Sequence, residues 1–546
     1  MTTAPTPAMH SRRRFETRSS HHPARSRRAL LAAVFALAAI PAAFAGEPSL
    51  TDIPVSLGLK ADAAAPLSDK PGLGLSLAGL ELPQRYYADI PSSWVAAQND
   101  KARSVSVTPQ RDWSSNEANK SYLIPALEIV GFDLLLNLFD RAYFGGSDYD
   151  TNFSTIKRNL RRSWVVENDP YAINQLGHPY QGSMYHGFAR SAGLNFWESL
   201  GYTFAGSLFW EIAGETTPPS KNDQVASGIG GAFLGEALYR MANLVLEQGG
   251  GLSPKWREVA AAVISPPTGF NRLAFDKRFD AIYSSRNAAY YSRIALGVSG
   301  TTQNVPGTST EVKRNEVLLD FSLDYGLPGQ PGYTYQRPFD YFTFQATASS
   351  ANGFENLMTR GLLLGKEYDV GNDYRGVWGL YGGFDYLAPQ IFRVSSTSLS
   401  LGTNGEWRPS PAFAVQGAIG AGFGYAGVGT LNGTRDEDYH YGVAPQALVA
   451  LRAIFGTRAS LDLTAREYFV SDVGAGPGRG GHDNIARADA SFTVRIHKQH
   501  AIAVKYLWNR RDANYPTIGD RTQTRASLGI FYTLLGQDRF GSVTWR

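Results

Sequence analysis

The 546-residue chain contains no cysteine, which excludes disulfides, thiolate metal sites, a cysteine nucleophile and an acylated lipoprotein N-terminus. Its stability must come from burial and backbone pairing. A charge imbalance is also missing once the first 45 residues are set aside. They hold seven of the 52 basic and one of the 48 acidic residues, leaving 45 against 47. No nucleic-acid partner is implied. Beyond that segment there is no clean apolar run of bilayer length. Gly193 to Gly214 is long enough, but Asn195, Glu198, Ser199, Thr203, Ser207 and Glu211 interrupt it, and one central acid costs about 2.5–3.5 kcal/mol on insertion.

What is present begins with a basic stretch (Arg12 to Arg28), an apolar run from Ala29 to Ile40, and Ala43-Phe44-Ala45 before Gly46. This is the layout of a secretory signal over residues 1–45, cleaved after Ala45. Residues 46–119, rich in Ala, Pro, Ser and Gly without periodicity, read as a partly disordered periplasmic leader.

From Tyr290 to Leu535 one pattern recurs about a dozen times: alternating apolar and polar residues, then Gly, Pro, Asn or Asp. Leu319, Phe321, Leu323 and Tyr325 share one parity while Asp320, Ser322 and Asp324 share the other. Side chains alternate across a strand, so each segment is greasy on one side and wet on the other. Phe413, Val415, Ile419, Phe423 and Tyr425 repeat the pattern, as do Ala490, Phe492, Val494 and Ile496, and Ile502, Val504, Tyr506 and Trp508. Asp462, Arg466, Asp489, Arg495, Lys505 and Arg525 take the opposite parity. Tight turns at Gly456-Thr457 and Lys498-Gln499 alternate with long connections at 472–481 and 511–520. The pattern predicts a transmembrane antiparallel β-barrel of about 12 strands over residues 286–536, with its turns periplasmic. The last strands are expected at 484–497, 500–510 and 521–535, the third at 337–349. Residues 537–546 are a tail, or a last strand through Val543 and Trp545.

Between leader and barrel, residues 120–248 carry a helical pattern: Leu127 to Phe139, about Tyr180 to Ala192, Phe196 to Ala213, and Lys221 to Glu247. Their acids argue for a small α-helical periplasmic domain, resting on the barrel or plugging it. Residues 249–285, with Pro and Gly, read as a linker.

Polar residues concentrate between Trp164 and Arg240. The run Asn174-Gln175-Leu176-Gly177-His178-Pro179-Tyr180-Gln181-Gly182 and its surroundings resemble a bacterial family catalogued as domain of unknown function 3943. The resemblance implies an envelope protein and carries no activity with it. Most of these residues have structural readings. Asn195 with Glu198, and Ser220 with Asp223, have capping-box spacing. Glu236 and Arg240 have the spacing of a helical ion pair, and Gly231 and Gly235 that of close helix packing, with no Lys-Ser/Thr following as a P-loop needs. His178, beside Pro179 at a helix start, and the pair Glu211 and Glu215 are less easily dismissed. Buried carboxylates need a partner or a raised pKa; His178, His186 and Arg190 are candidates.

A catalytic version takes His178 as general base, Ser183 as nucleophile, and Glu211 or Asp223 orienting the histidine, with Tyr180, Gln181, Arg190, Glu215 and Glu236 binding ligand. A metal version combines His178, Glu211 and Asp223, but no ligand-spacing signature supports it, and no metal or cofactor is assigned. Two function classes follow. The favoured one is a non-catalytic outer-membrane barrel for transport, ligand binding or envelope organisation; the other is a membrane-anchored hydrolase acting on a lipid or other envelope substrate. The expected partners are outer-membrane lipids and the barrel assembly machinery.

Overall fold

A computed structural model describes residues 119–545 apart from 144–146, 168, 305–308, 430–438, 473–479, 517–518 and 538. The expected signal and nearly all of the leader lie outside these residues.

Twelve antiparallel strands close into a barrel: β1 Tyr290–Asn304, β2 Glu311–Tyr325, β3 Phe342–Ser349, β4 Asn356–Val370, β5 Tyr374–Leu387, β6 Arg393–Ser410, β7 Phe413–Gly429, β8 Tyr439–Phe455, β9 Ala459–Asp472, β10 His482–His497, β11 His500–Asn514 and β12 Arg521–Leu535. The ring is sealed by β1 against β12, Val298 opposite Ile530. Closure leaves no free sheet edge, which is what permits a sheet to cross hydrocarbon. β3 starts five residues later than the alternation suggests. The Asp340 carboxylate accepts from the backbone N–H groups of Gln336 and Arg337, and Phe339 has φ +63°, so this stretch is a turn. The tight turns after β4, β6, β8 and β10 share one rim with both ends of the barrel.

The two parities separate as expected. Val298, Ile530, Val504 and Phe492 lie opposite one another in successive pairs and are all exposed on the outer face. Inside, ion pairs cross the lumen. Arg293 of β1 reaches Asp462 of β9 at 2.9 Å, Arg452 of β8 reaches Asp324 of β2 at 2.9 Å, and Lys505 of β11 reaches Asp320 of β2 at 2.6 Å. A cavity of about 160 Å³ remains beside the first two pairs.

The tail after β12 is not a strand. It turns back into the tight-turn mouth, where Phe540 and Val543 are buried with Tyr291, Ala414, Ile454 and Ala501. Glu406 accepts from Ser542 Oγ at 3.0 Å, and Gln416 donates to the Gly541 carbonyl at 2.8 Å. The strand reading counted the alternation of Val543 and Trp545 but had no means of seeing an inward fold.

The helical unit comprises α1 Leu123–Tyr143, α2 Phe153–Asn159, α3 His178–Ser191, α4 Phe196–Phe209, α5 Gly231–Gln248, α6 Pro254–Ile264 and α7 Pro266–Phe275. α6 and α7 occupy the expected linker. Their prolines sit in the first turn, where the fixed φ suits a helix and no N–H bond is lost, so residues taken as breakers are starters. Asn195 and Glu198 form the capping box of α4. α3 crosses α5 at a glycine contact: a Cβ on Gly231 would lie 2.6 Å from the Gly182 Cα.

These helices neither plug the lumen nor stack beneath the rim; they lie along the outer wall. Phe196, Phe233, Leu234, Met241 and Leu244 share a core with Leu323, Tyr325, Phe342, Phe344, Phe384 and Tyr386, outward residues of β2, β3 and β5. A Cβ on Gly382 would meet the Phe233 ring at 2.4 Å. Contacts run from Tyr325 and Phe342 at the tight-turn rim to Tyr441 near the other end of β8, whose hydroxyl accepts from Gln175 at 2.7 Å. The helices therefore cover the outer faces of β2, β3 and β5. α1 buries Asp133, Asn137 and Asp140 beside Ile129 and Phe132 and exposes Leu123, Leu127, Val130, Leu134 and Leu138, whereas a helix facing water keeps its charged residues outside. Among the described residues, no helix is long and apolar enough to cross a membrane.

Candidate functional site

Two features of the helical unit call for a chemical account: a buried group of acids with one histidine, and an apolar crevice against the barrel wall.

The acids are gathered by a short bridge between two loops. Val165 pairs with Ser220 in parallel, its N–H donating to the Pro219 carbonyl and its carbonyl accepting from Lys221. The Glu167 N–H then donates to Asn222 Oδ1 at 2.8 Å, which sets Glu167 beside Asp223. Glu211 is aimed the same way, its carboxylate accepting from the Ser220 N–H at 2.7 Å. Ligand-type oxygens of Glu167, Glu211 and Asp223 all lie within 4.8 Å of one another. His178 Nε2 stands 3.9 Å from Asp223 Oδ2, too far for a hydrogen bond. The Asn222 amide links this group to the barrel, donating to Asp223 Oδ1 at 3.1 Å and to the Tyr441 hydroxyl at 2.8 Å.

Three π-helical turns surround the group: Ile173–Gly177 ends at His178, Trp210–Gly214 contains Glu211, and Gln224–Gly230 starts after Asp223. Such turns are rare and recur at functional sites.

The electrostatics are those of like charges out of water. Burial, with Glu215 and Asp223 adding repulsion, pushes Glu167 up to about 11. Burial and the charge of Asp223 hold Glu211 well above the carboxylate range. Burial raises Glu215 to about 7 against the pull of His178; burial also raises Asp223 above the usual carboxylate value, again opposed by His178. Burial alone disfavours a charged His178, but Asp223 and Glu215 outweigh it and raise its pKa.

The remaining sequence candidates are elsewhere. Ser183 donates to the Tyr180 carbonyl at 2.6 Å and is five residues along α3 from His178, about 140° around the helix, so the two do not form a nucleophile and base. Gln181 donates to Tyr185 at 2.6 Å. Arg190 is no partner of Glu211 or Glu215. With His186 and Arg240 it surrounds Glu236, at 2.6 Å from Arg190 Nε, 2.8 Å from Arg240 Nε and 3.2 Å from His186 Nε2. Arg240 passes the network on to Asp340 at 3.1 Å, fixing α5 to the β2–β3 connection. Glu215 accepts from Trp210 Nε1 at 2.6 Å. Glu167 and Tyr441 were missed, because their approach depends on the loop bridge and on docking to the wall.

Tyr180 lines the second feature, a crevice of about 850 Å³ between α5 and the outer faces of β1 to β4. Leu238, Met241, Val245, Ile294, Phe321 and Leu357 form much of its surface.

Residues 163–267, which contain the acids, match the family model described as Domain of unknown function (DUF3943). No curated protein matches the sequence. Among solved structures, the chain is similar to a KdgM porin (8% identity, 44% of this chain and 98% of that chain, TM-score 0.20). It is also similar to the outer membrane channel DcaP of Acinetobacter baumannii (8%, 46% and 99%, 0.20) and to the translocator domain of autotransporter NalP from Neisseria meningitidis (13%, 45% and 88%, 0.22).

Proposed function

We propose that the protein is a non-catalytic outer-membrane barrel that binds lipid on its outer wall, with its helical unit set beside the barrel at bilayer level. The observation that carries this reading is the apolar crevice. Ile294 and Leu534 belong both to the crevice and to the exposed outer band of the barrel, so the space opens where acyl chains surround the other strands. Water there has few polar partners, whereas each buried methylene gains about 0.8 kcal/mol. Transport is less well supported, because ion pairs cross the lumen and the tail occupies one mouth. The hydrolase reading lacks a nucleophile paired with His178.

A helical unit on the periplasmic side, hung clear of the bilayer, would leave the α1 leucines in water. At bilayer level they meet lipid. The absence of cysteine makes this directly testable with single-cysteine variants in membrane fragments open on both sides. Leu134→Cys is expected to resist a membrane-impermeant maleimide until the protein is denatured, while Lys498→Cys in a tight turn reacts at once. Equal labelling of both sinks the lipid-level placement.

For the crevice, Leu238→Trp fills the space without adding charge. Mass spectrometry of the purified protein is expected to find lipid retained by the unaltered chain and reduced severalfold in the variant. Equal retention by both would show that the lipid is not held there.

A further inference from the structure

We propose that Glu167, Glu211 and Asp223 form a binding site for a hard divalent cation of the calcium type, at the junction of the helical unit with Tyr441 of the barrel. This goes beyond the lipid reading and does not depend on it.

Carboxylate oxygens are the donors such cations take. Calcium bonds them at about 2.3–2.6 Å, so oxygens around one ion lie no more than about 5 Å apart. The three residues meet that limit, with oxygens within 4.8 Å of one another.

A second observation points to a missing positive partner. Asp223 is 1% exposed, yet its Oδ2 has no hydrogen-bond donor among the described residues, and its nearest cationic group, His178, stops at 3.9 Å. The same carboxylate is served on the other side, where Oδ1 receives the Asn222 amide. An orphaned oxygen at this depth is costly, and Glu236, equally buried in the same unit, has two arginines and a histidine. The chain thus neutralises one buried acid fully and leaves three others facing one another.

The supporting framework is suited to the task. The Ser220 N–H fixes Glu211 and the Asn222 side chain fixes both Asp223 and the Glu167 backbone.

The test is calorimetric titration of Ca²⁺ into the full-length protein, purified in detergent and stripped with EDTA. One ion per chain is expected to bind. Asp223→Asn and Glu167→Gln, which keep shape and remove charge, should weaken binding by roughly tenfold or more, whereas Glu128→Gln, at a half-buried acid outside the group, should not. Heat-modifiable migration of each variant checks that the barrel is folded. Absence of Ca²⁺ uptake by the unaltered folded protein overturns the proposal by itself, whatever the variants do. So does undiminished uptake by both Asp223→Asn and Glu167→Gln, which would place the ion elsewhere.

Discussion

Glu236→Gln is expected to loosen the helical unit by about 3–5 kcal/mol while the barrel stays closed. The figure is what it costs to break a buried ion pair and leave a charge unpaired, and here two guanidiniums lose their carboxylate. Arg190 and Arg240 are each about 2% exposed and bind opposite oxygens of Glu236. A typical domain has only about 5–15 kcal/mol in total, so the loss should appear as fast hydrogen exchange in α3, α4 and α5. Strands β7 to β12, which do not touch this network, should keep their protection. Because Arg240 also binds Asp340, the β2–β3 connection should loosen with the helices. Unchanged exchange in α5 would mean that the network contributes little and that docking rests on Phe233 and its neighbours.

The second large effect is expected on the barrel wall. Val504→Arg should lower stability by about 2–4 kcal/mol, the cost of a cation on the lipid face near mid-depth, and deplete the heat-modifiable form. Thr464→Lys, on the inner parity beside Asp462 and lining the 160 Å³ cavity with four aspartates and four arginines, should assemble normally, since it places a cation in a polar space rather than in hydrocarbon. Equal tolerance at the two positions would mean that Val504 does not face lipid.

The contrast between those positions was readable in advance, because a strand's two-residue period ties parity directly to face. Val504 and Lys505 could be assigned without any long-range knowledge. Helices gave a weaker guide. In α1 the acids Asp133 and Asp140 suggested a surface bathed in water, whereas the structure turns them inward and the leucines out. Composition cannot distinguish those cases when the solvent on the outside is unknown. The prolines of α6 and α7 were ambiguous for a local reason, since the same residue ends one helix and starts another. The candidate site was half visible: His178, Glu211, Glu215 and Asp223 fall together, but Glu167 joins them through a two-residue bridge with no periodicity to reveal it. Ser183 could have been set aside earlier, as five helical residues put it on a different face from His178.

The tail in the tight-turn mouth has a consequence for how the barrel comes to be closed. The seat of Phe540 and Val543 is built from β1, β7, β8 and β11 together, so it does not exist on an open sheet. Phe540 and Val543 follow β12, the strand that completes the ring, and their burial becomes available only when β12 has met β1. The segment thus behaves as a latch that engages on the finished ring alone. It adds its stabilisation to the closed form without favouring any partly wound one, and it makes opening of the β1–β12 seam and release of the tail a single cooperative event.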